Sequence, residues 1–508
     1  MKKRISRLVC LIMALLVAVA LFAGCKDKNK ENTSSGSGSQ SDSSKKETDV
    51  MKDYEGKWNE NIPAQMDLDD FEMVFAIDRE AWIMPEKGQS ENEDMIRDSM
   101  KDLEDRYNCD FEVKIVQDWN VEVLSALLSG DEFAHVLMPE VWRAGTMVSA
   151  KVCLDWNTDA VKKYVHTEDP WWNDTMAYAS NINGKVYAGA CNIQNYAELT
   201  EVCFFNKSIL KEIGSSESEL YKMYTDKTWT WEAFRTLAKK AVKDLNDDGK
   251  MDENDQWGFL SSDYDALEGF LSSAKCSAIV ATDGKKPTYN YSNSFALKTL
   301  TTLNDMYTSD GTYFVKANSQ DENGNWRFYQ MFATGQSLFS IMVFRNASQQ
   351  AIRDMEDEIG IMPLPLGPKD GGGWQSEYAS RVNHNFRLCL IPANNTETEN
   401  TALLLEAIAY TRWQAHNALM DVYGTLYLYD DTAEAIAKEL YNWSSFEISQ
   451  FVYGVNGMAF FQNVSGRIPN LAKVANFDIA TTFTSVEQSA QIIIDEYFTG
   501  KVDVPDAQ

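Results

Sequence analysis

The sequence predicts an α/β protein of two lobes, on three observations. A body of about 440 residues follows the polar N-terminal stretch, more than a single core usually supports. FEMVFAID (71–78), a helical pattern over 91–107, FEVKIV (111–116), a helix near 120–129 and AHVLMP (134–139) alternate strand with helix, the mark of a parallel sheet. The alternation then resumes. TWTWEAFRTLAKKAVKDL has helical spacing with Thr230 placed to cap it, QSLFSIMVF reads as a strand, and ENTALLLEAIAYTRW as a long amphipathic helix.

The N-terminus comes first in chain order. MKKRISR is a basic lead, LVCLIMALLVAVALF an apolar run over 8–22, and small residues then reach a cysteine in FAGC. That order predicts a signal peptide over 1–24, since fifteen apolar residues are too few for an ordinary membrane span. Leu21 to Cys25 resembles the bacterial lipobox, which implies a lipid on Cys25 and a membrane anchor through it. Residues 25–66 then read as a flexible tether. Its Ser/Gly-rich part lacks periodic apolar residues, and as coil 26–49 reaches roughly 25–30 Å.

Composition excludes several classes. The chain carries a formal charge of −29, and loss of Lys2, Lys3, Arg4 and Arg7 with the signal takes it to −33. Such a balance argues against nucleic acid and against an electrostatically held membrane surface. Cys109, Cys153, Cys191, Cys203, Cys276 and Cys389 are scattered without CxxC spacing, which fits buried thiols or an occasional disulfide equally. His135, His166, His384 and His416 suggest no zinc or iron constellation.

One stretch does have metal spacing. DLNDDGKMDEND (244–255) sets Asp244, Asn246, Asp248, Lys250 through its carbonyl, Asp252 and Asp255 at positions 1, 3, 5, 7, 9 and 12 of an EF-hand-type loop, with Gly249 at the sharp turn. A structural Ca2+ is the expectation. Asp in place of Glu at position 12 points to moderate or weak affinity, and no second copy suggests a sensor pair. DENGN at 321–325 lacks the ligand spacing.

Motif searching finds no GxSxG elbow, HExxH, P-loop or dinucleotide glycine run in supporting context. A secreted carbohydrate-active enzyme needs only two carboxylates about 5–10 Å apart, and 76 acidic residues meet that by chance. That enzyme, and a calcium-stabilised surface adhesin, stand as the alternatives to a binding protein without catalysis. The absence of repeats counts against the adhesin.

AHVLMPEVW, DPWWN with INGKVYAGA, EVCFFNKSILKEIG, KTWTWEAFRTLAKKA, MFATGQSLFSIMVF, IGIMPLPLGP and GRIPN occur in that order between about residues 70 and 475. Together they resemble the landmarks of the family 1 extracellular solute-binding proteins, lipoproteins that feed sugar-importing ABC transporters in Gram-positive bacteria. The resemblance implies a periplasmic-binding-protein-like (type II) Venus flytrap whose chain crosses between lobes more than once, near 199–204, 381–391 and 420–430. Lobe one would hold 67–200 and 384–425, and lobe two 204–380 and 430–508. It also implies a monomer displayed on the outer face of the cell membrane, a carbohydrate ligand, and separately encoded ABC permease subunits as partners.

A sugar presents polar edges and flat C–H faces, so its cleft needs rings beside amides, carboxylates or Arg. Ligands of open α/β sheets sit beyond the carboxyl ends of strands. Glu140, Trp142 and Arg143, directly after AHVLMP, form the leading group, and their family counterparts lie in the cleft. Phe344 and Arg345 follow SLFSIMV, where the family often has an aromatic platform. Tyr196 and Glu198 precede the first crossing, Asp263 and Tyr264 follow the WGFL strand, and Trp374 and Arg381 flank the GGGW loop and the second crossing. Of the neighbours Trp171 and Trp172, at most one should face ligand.

Overall fold

The computed structural model describes residues 57–499 except 89–90, 173–179, 183, 191–192, 282–285, 323, 424–426 and 429. The signal peptide, Cys25 and the tether as far as residue 56 therefore lie outside the described residues.

The first half builds strand β1 (Phe71–Ile77), helix α1 (Glu91–Tyr107), β2 (Cys109–Ile115), a π turn (Trp119–Leu124) running into α2 (Ser125–Ser129), β3 (Val136–Leu137) and α3 (Val141–Ser149). The three strands form one parallel sheet in the order β2-β1-β3, with Phe71 opposite Cys109 and Phe75 opposite Val136. Met73, Phe75, Ala76 and Ile77 are all shut from solvent, as a central strand with both faces covered requires. Asn108 takes a left-handed conformation (φ 45°) between α1 and β2, which Asn tolerates better than most residues. AHVLMP contributes only Val136 and Leu137 as strand. Beyond them Met138 N–H still bonds the Ala76 carbonyl, and the chain turns at Pro139 into α3.

The second sheet contains β4 (Glu201–Asn206), β5 (Trp257–Ser261), β6 (Ser337–Val343) and β7 (Ile359–Met362), in the order β5-β6-β4-β7. It is mixed: β5 and β6 are parallel, while β4 runs against both β6 and β7. Helix α4 (Trp231–Ala241) covers it, stacking Phe234 on Phe339 with centroids 4.9 Å apart. The Thr230 hydroxyl accepts from Ala233 N–H and caps that helix, as its sequence implies. Helix α5 (Asp265–Ser273) follows β5.

The remaining elements are β8 (Ser380–Arg381), α6 (Thr398–Tyr423), α7 (Asp431–Lys438), β9 (Ser444–Ser445) and α8 (Ser449–Tyr453). After β8 the chain returns to the first sheet, where Leu390 bridges Leu137 and Arg387 bridges Glu140, and α6 then packs on α1. Three linking segments lie side by side between the sheets: Thr200 bridges Val382, and Ser380 and Arg381 pair with Ser444 and Ser445.

Residues 57–66, assigned by sequence to the tether, are docked. Fully buried Glu406 of α6 accepts from Asn59 Nδ2 at 2.8 Å and Asn61 Nδ2 at 3.1 Å, while the Pro63 carbonyl accepts from Tyr107 Oη at 2.6 Å. The polar side chains that suggested coil are here the donors that satisfy a buried carboxylate. Glu406 also takes the indole N–H of Trp171 at 2.8 Å and of Trp172 at 2.7 Å. Both rings are interior, so neither presents a face to ligand. Cys109, Cys153, Cys203 and Cys276 are buried free thiols, and Cys389 is disulfide-bonded.

Candidate functional site

The carboxyl ends of β1 and β3 lie together because the strands are adjacent and parallel, so the turns after them share one wall. After β3, Glu140 opens α3. Arg143 Nε reaches the Glu140 carboxylate at 2.9 Å, and the guanidinium lies over the half-buried Trp142 ring at 4.1 Å. After β1, Asp78 pairs with Arg387, whose Nε donates to Oδ1 at 2.7 Å. Arg387 stands 5.7 Å from the centroid of Trp82, a half-buried ring on the short turn Glu80–Trp82, and Arg79 stands 6.0 Å from it. That turn is fastened from below by Arg412 of α6, fully buried, which donates to the Ile83 carbonyl at 2.9 Å.

The opposite wall comes from the second sheet. Arg345, just beyond β6, reaches over the same Trp82 ring at 6.0 Å. Glu198 accepts from Tyr423 Oη at 2.5 Å. Burial raises its carboxyl above the usual range, while that hydrogen bond and the charge of Arg345 pull it back. Tyr264 sets its ring edge-on to His384 at 5.6 Å. The site thus offers two indole rings, each overlaid by a guanidinium that is paired with a carboxylate. This combination can stack a flat apolar face and bond several hydroxyls.

The sequence-derived set divides. Glu140, Trp142, Arg143 and Arg345 belong to this chain of contacts, Glu198 borders it through Arg345, and Tyr264 lies instead against His384 and Arg381. Phe344 is fully buried against Tyr423, centroids 4.7 Å apart, and therefore packs the interior instead of forming a platform. Tyr196 is likewise enclosed by Phe386, Tyr441 and Phe446. Asp263 is buried and ion-paired to Lys473 at 2.5 Å. Arg381 is fully buried, on Glu201 at 3.1 Å and Asp265 at 3.3 Å. Trp374 is exposed on the glycine loop, which packs at the far end of α5: Gly367 N–H bonds the Ser273 carbonyl, a helix length of roughly 12 Å from Asp265. Cavities of about 420 Å³ beside Trp156 and 510 Å³ beside Ala274 include none of these residues.

Sequence reasoning missed Asp78, Arg79, Trp82 and Arg387. Asp78 to Trp82 were available to it, because the strand-end rule that chose Glu140 applies equally after FEMVFAI. Arg387 carried no local signal; its role depends on the return of the chain beside β3.

The 244–255 loop turns as its spacing demands, with Asp247 (φ 56°) and Gly249 (φ 76°) left-handed. Asn246 Oδ1 accepts from Asp248 N–H at 3.0 Å, Asp248 Oδ1 from Lys250 N–H at 2.8 Å, and Asp244 Oδ2 from Gly249 N–H at 2.8 Å. Asp255, wholly buried, takes Leu245 N–H at 3.0 Å and Asp252 N–H at 2.7 Å. The carboxylates thus face the loop's own amides, and among the described residues no three His, Cys, Asp or Glu side chains are gathered as a metal group. Asp244 Oδ1 is nevertheless buried without a partner at the first ligand position, and that is where the residues fit a cation.

The family model for bacterial extracellular solute-binding proteins matches residues 99–383, more than half of the chain. The chain belongs to that family. Solved structures share its fold. The GacH receptor of Streptomyces glaucescens, studied unliganded and with acarbose, aligns with a TM-score of 0.55 at 12% identity over 84% of this chain and 99% of that one. UgpB from Mycobacterium tuberculosis, in complex with glycerophosphocholine, gives 0.55 at 16% identity over 84% and 98%. The substrate-binding protein Lmo0181 from Listeria monocytogenes, in complex with cycloalternan, gives 0.54 at 12% over 84% and 100%. No curated protein sequence matches the chain. The family fits the two-sheet architecture of this solute-binding protein.

Proposed function

We propose that this solute-binding protein captures a carbohydrate, specifically an oligosaccharide, and delivers it to the membrane subunits of an ABC importer without altering it. The observation that carries this reading is the wall built at the ends of β1 and β3. Trp82 and Trp142 each lie under guanidinium, beside Asp78 and Glu140, and Arg345 reaches Trp82 from the other sheet. Rings for sugar faces and charged groups for hydroxyls are the chemistry a glycan needs. The acarbose and cycloalternan complexes of similar proteins support a sugar. Contacts from both lobes form fully only in a closed state, so ligand shifts the population toward closure.

The same reading makes the protein a monomer held outside the cell membrane by a lipid on Cys25. Its lobes run over 67–200 with 384–425 and 204–380 with 430–508, and a structural Ca2+ sits in the 244–255 loop. There Asp244 and Asp255 would be the anchoring ligands, and the ion would supply a cross-link between the ends of the loop.

The test incubates the mature chain, with calcium, against mono- and oligosaccharides, following melting temperature and the mass of the sugar. A rise in melting temperature with the sugar intact supports capture and names the glycan class. A cleaved sugar, or no response to any glycan, overturns it.

A further inference from the structure

All three segments that link the sheets place a charged side chain in one buried spot. Glu201 begins β4 after the first link, Arg381 ends β8 in the second, and Glu447 follows β9 in the third. Arg381 Nη1 meets Glu201 Oε1 at 3.1 Å and Asp265 Oδ1 at 3.3 Å, and Glu268 of α5 completes the group. Glu201, Glu268 and Glu447 are exposed by only 1%, 3% and 6%, so three glutamates share a single buried guanidinium.

The other groups facing the cluster do not balance it. His384, at the rim, pairs with Asp265 at 3.3 Å and, with Arg381 and against the cost of burial, holds that carboxyl below the usual range. Tyr453 Oη lies 3.5 Å from Glu268 Oε1, and Tyr264, Tyr291 and Cys276 face the cluster as neutral groups that burial keeps protonated. The Gln450 amide meets Arg381 Nε at 3.1 Å when its oxygen faces the guanidinium. Lys473 is already paired to Asp263.

Glu201 Oε2 is buried without a hydrogen-bond partner, whereas Ser272 of α5 hydrogen-bonds the Glu447 carboxyl. A Cβ on Gly269 would fall 2.2 Å from Glu201 Oε2. A proton would offset part of this excess negative charge, and it occupies no volume. We propose that this cluster of buried carboxylates around one guanidinium is a proton-binding site that locks the three linking segments together, with Glu447, beside Glu268, as its titrating member.

The direction of the linkage agrees. Burial holds the Glu201 carboxyl well above the usual range and raises that of Glu268, and burial, aided by the charge of Glu268 and opposed by Arg381 and the Ser272 hydrogen bond, pushes the Glu447 carboxyl up to about 7. The folded chain then binds this proton more tightly than the unfolded chain does. Its stability contribution is complete below the unfolded value, falls as the pH rises from about 4.5 to 7, and is flat above.

Glu447→Gln keeps the shape and removes the titration. The mature wild-type chain and this variant are compared from pH 5 to 8 by unfolding and by amide hydrogen exchange over 199–204, 380–383 and 444–447. The expected result is that the wild-type unfolding constant rises relative to the variant's by on the order of 100-fold across this window. Protection of the linking amides, corrected for intrinsic rate, falls with pH in the wild type and stays level in the variant. Identical pH profiles, or pH-independent protection in both, overturn the proposal. Glu268→Gln supplies an independent check that does not rely on the first variant folding. Removing that charge moves the wild-type fall to lower pH, and a fall left in place sinks the idea.

Discussion

The guanidinium of Arg345 lies 6.0 Å from the centroid of Trp82, although the two residues follow strands of different sheets. This contact joins the ends of the two sheets, so the Trp82 ring answers to residues of both.

Replacing Trp82 with Ala is therefore expected to weaken binding of the responding glycan about tenfold, the scale of one desolvated ring contact, with unchanged circular dichroism. Trp142→Ala should act in the same direction. Calorimetric titration checks both, and equal affinity in either variant removes that ring from the site.

Glu406 makes a different kind of contribution. It accepts from four side-chain donors, Asn59, Asn61, Trp171 and Trp172. Glu406→Leu removes the acceptor these donors share, leaving Asn61 its bond to Asp169, and is expected to cost about 3–5 kcal/mol in denaturant unfolding. Limited proteolysis should then cut within residues 57–66 first. A variant as resistant as the wild type would show that these residues are held by other contacts.

Helices α3 and α8 approach through glycine. A Cβ on Gly145 would stand 1.7 Å from the Phe451 carbonyl oxygen, and one on Gly454 would stand 2.3 Å from that of Trp142. Backbone cannot yield as a side-chain tip does, so Gly145→Val must part the helices and disturb the turn carrying Trp142 and Arg143. The expected loss is several degrees of melting temperature together with weakened glycan binding. A fully stable variant with full affinity contradicts the close approach.

Calcium is read through stability alone. Chelation should lower the melting temperature of the wild type, with excess calcium restoring it. Asp244→Ala should abolish that response while leaving the chain folded. A melting curve indifferent to chelator argues against a bound ion.

How much of this was legible in the sequence differed by range of interaction. Strand β1, helix α1 and the Thr230 cap follow from periodicity and capping chemistry within a few residues, and the structure has them at those positions. The antiparallel setting of β4 depends on partners more than a hundred residues away, which no local pattern encodes. Among the aromatics, Trp142 and Phe344 both follow strands, yet only tertiary packing decides that Tyr423 covers the second. Trp171 and Trp172 do not alternate across two faces as strand residues would. The turn at Asp169 to Trp172 points both indole nitrogens at one carboxylate, so two neighbouring rings share a task.

The return of the chain to β3 at Arg387 to Leu390, and of α6 to α1, means that the first lobe is built from two stretches separated by the second. A ribosome that has finished β3 must add nearly three hundred residues before α6 exists, a wait of roughly 15 to 60 s at ordinary synthesis rates. Through that interval α1 lacks the helix that packs on it. A chain unable to finish folding from its N-terminal part alone remains threadable while it is being exported, and its order of assembly helps to keep it so.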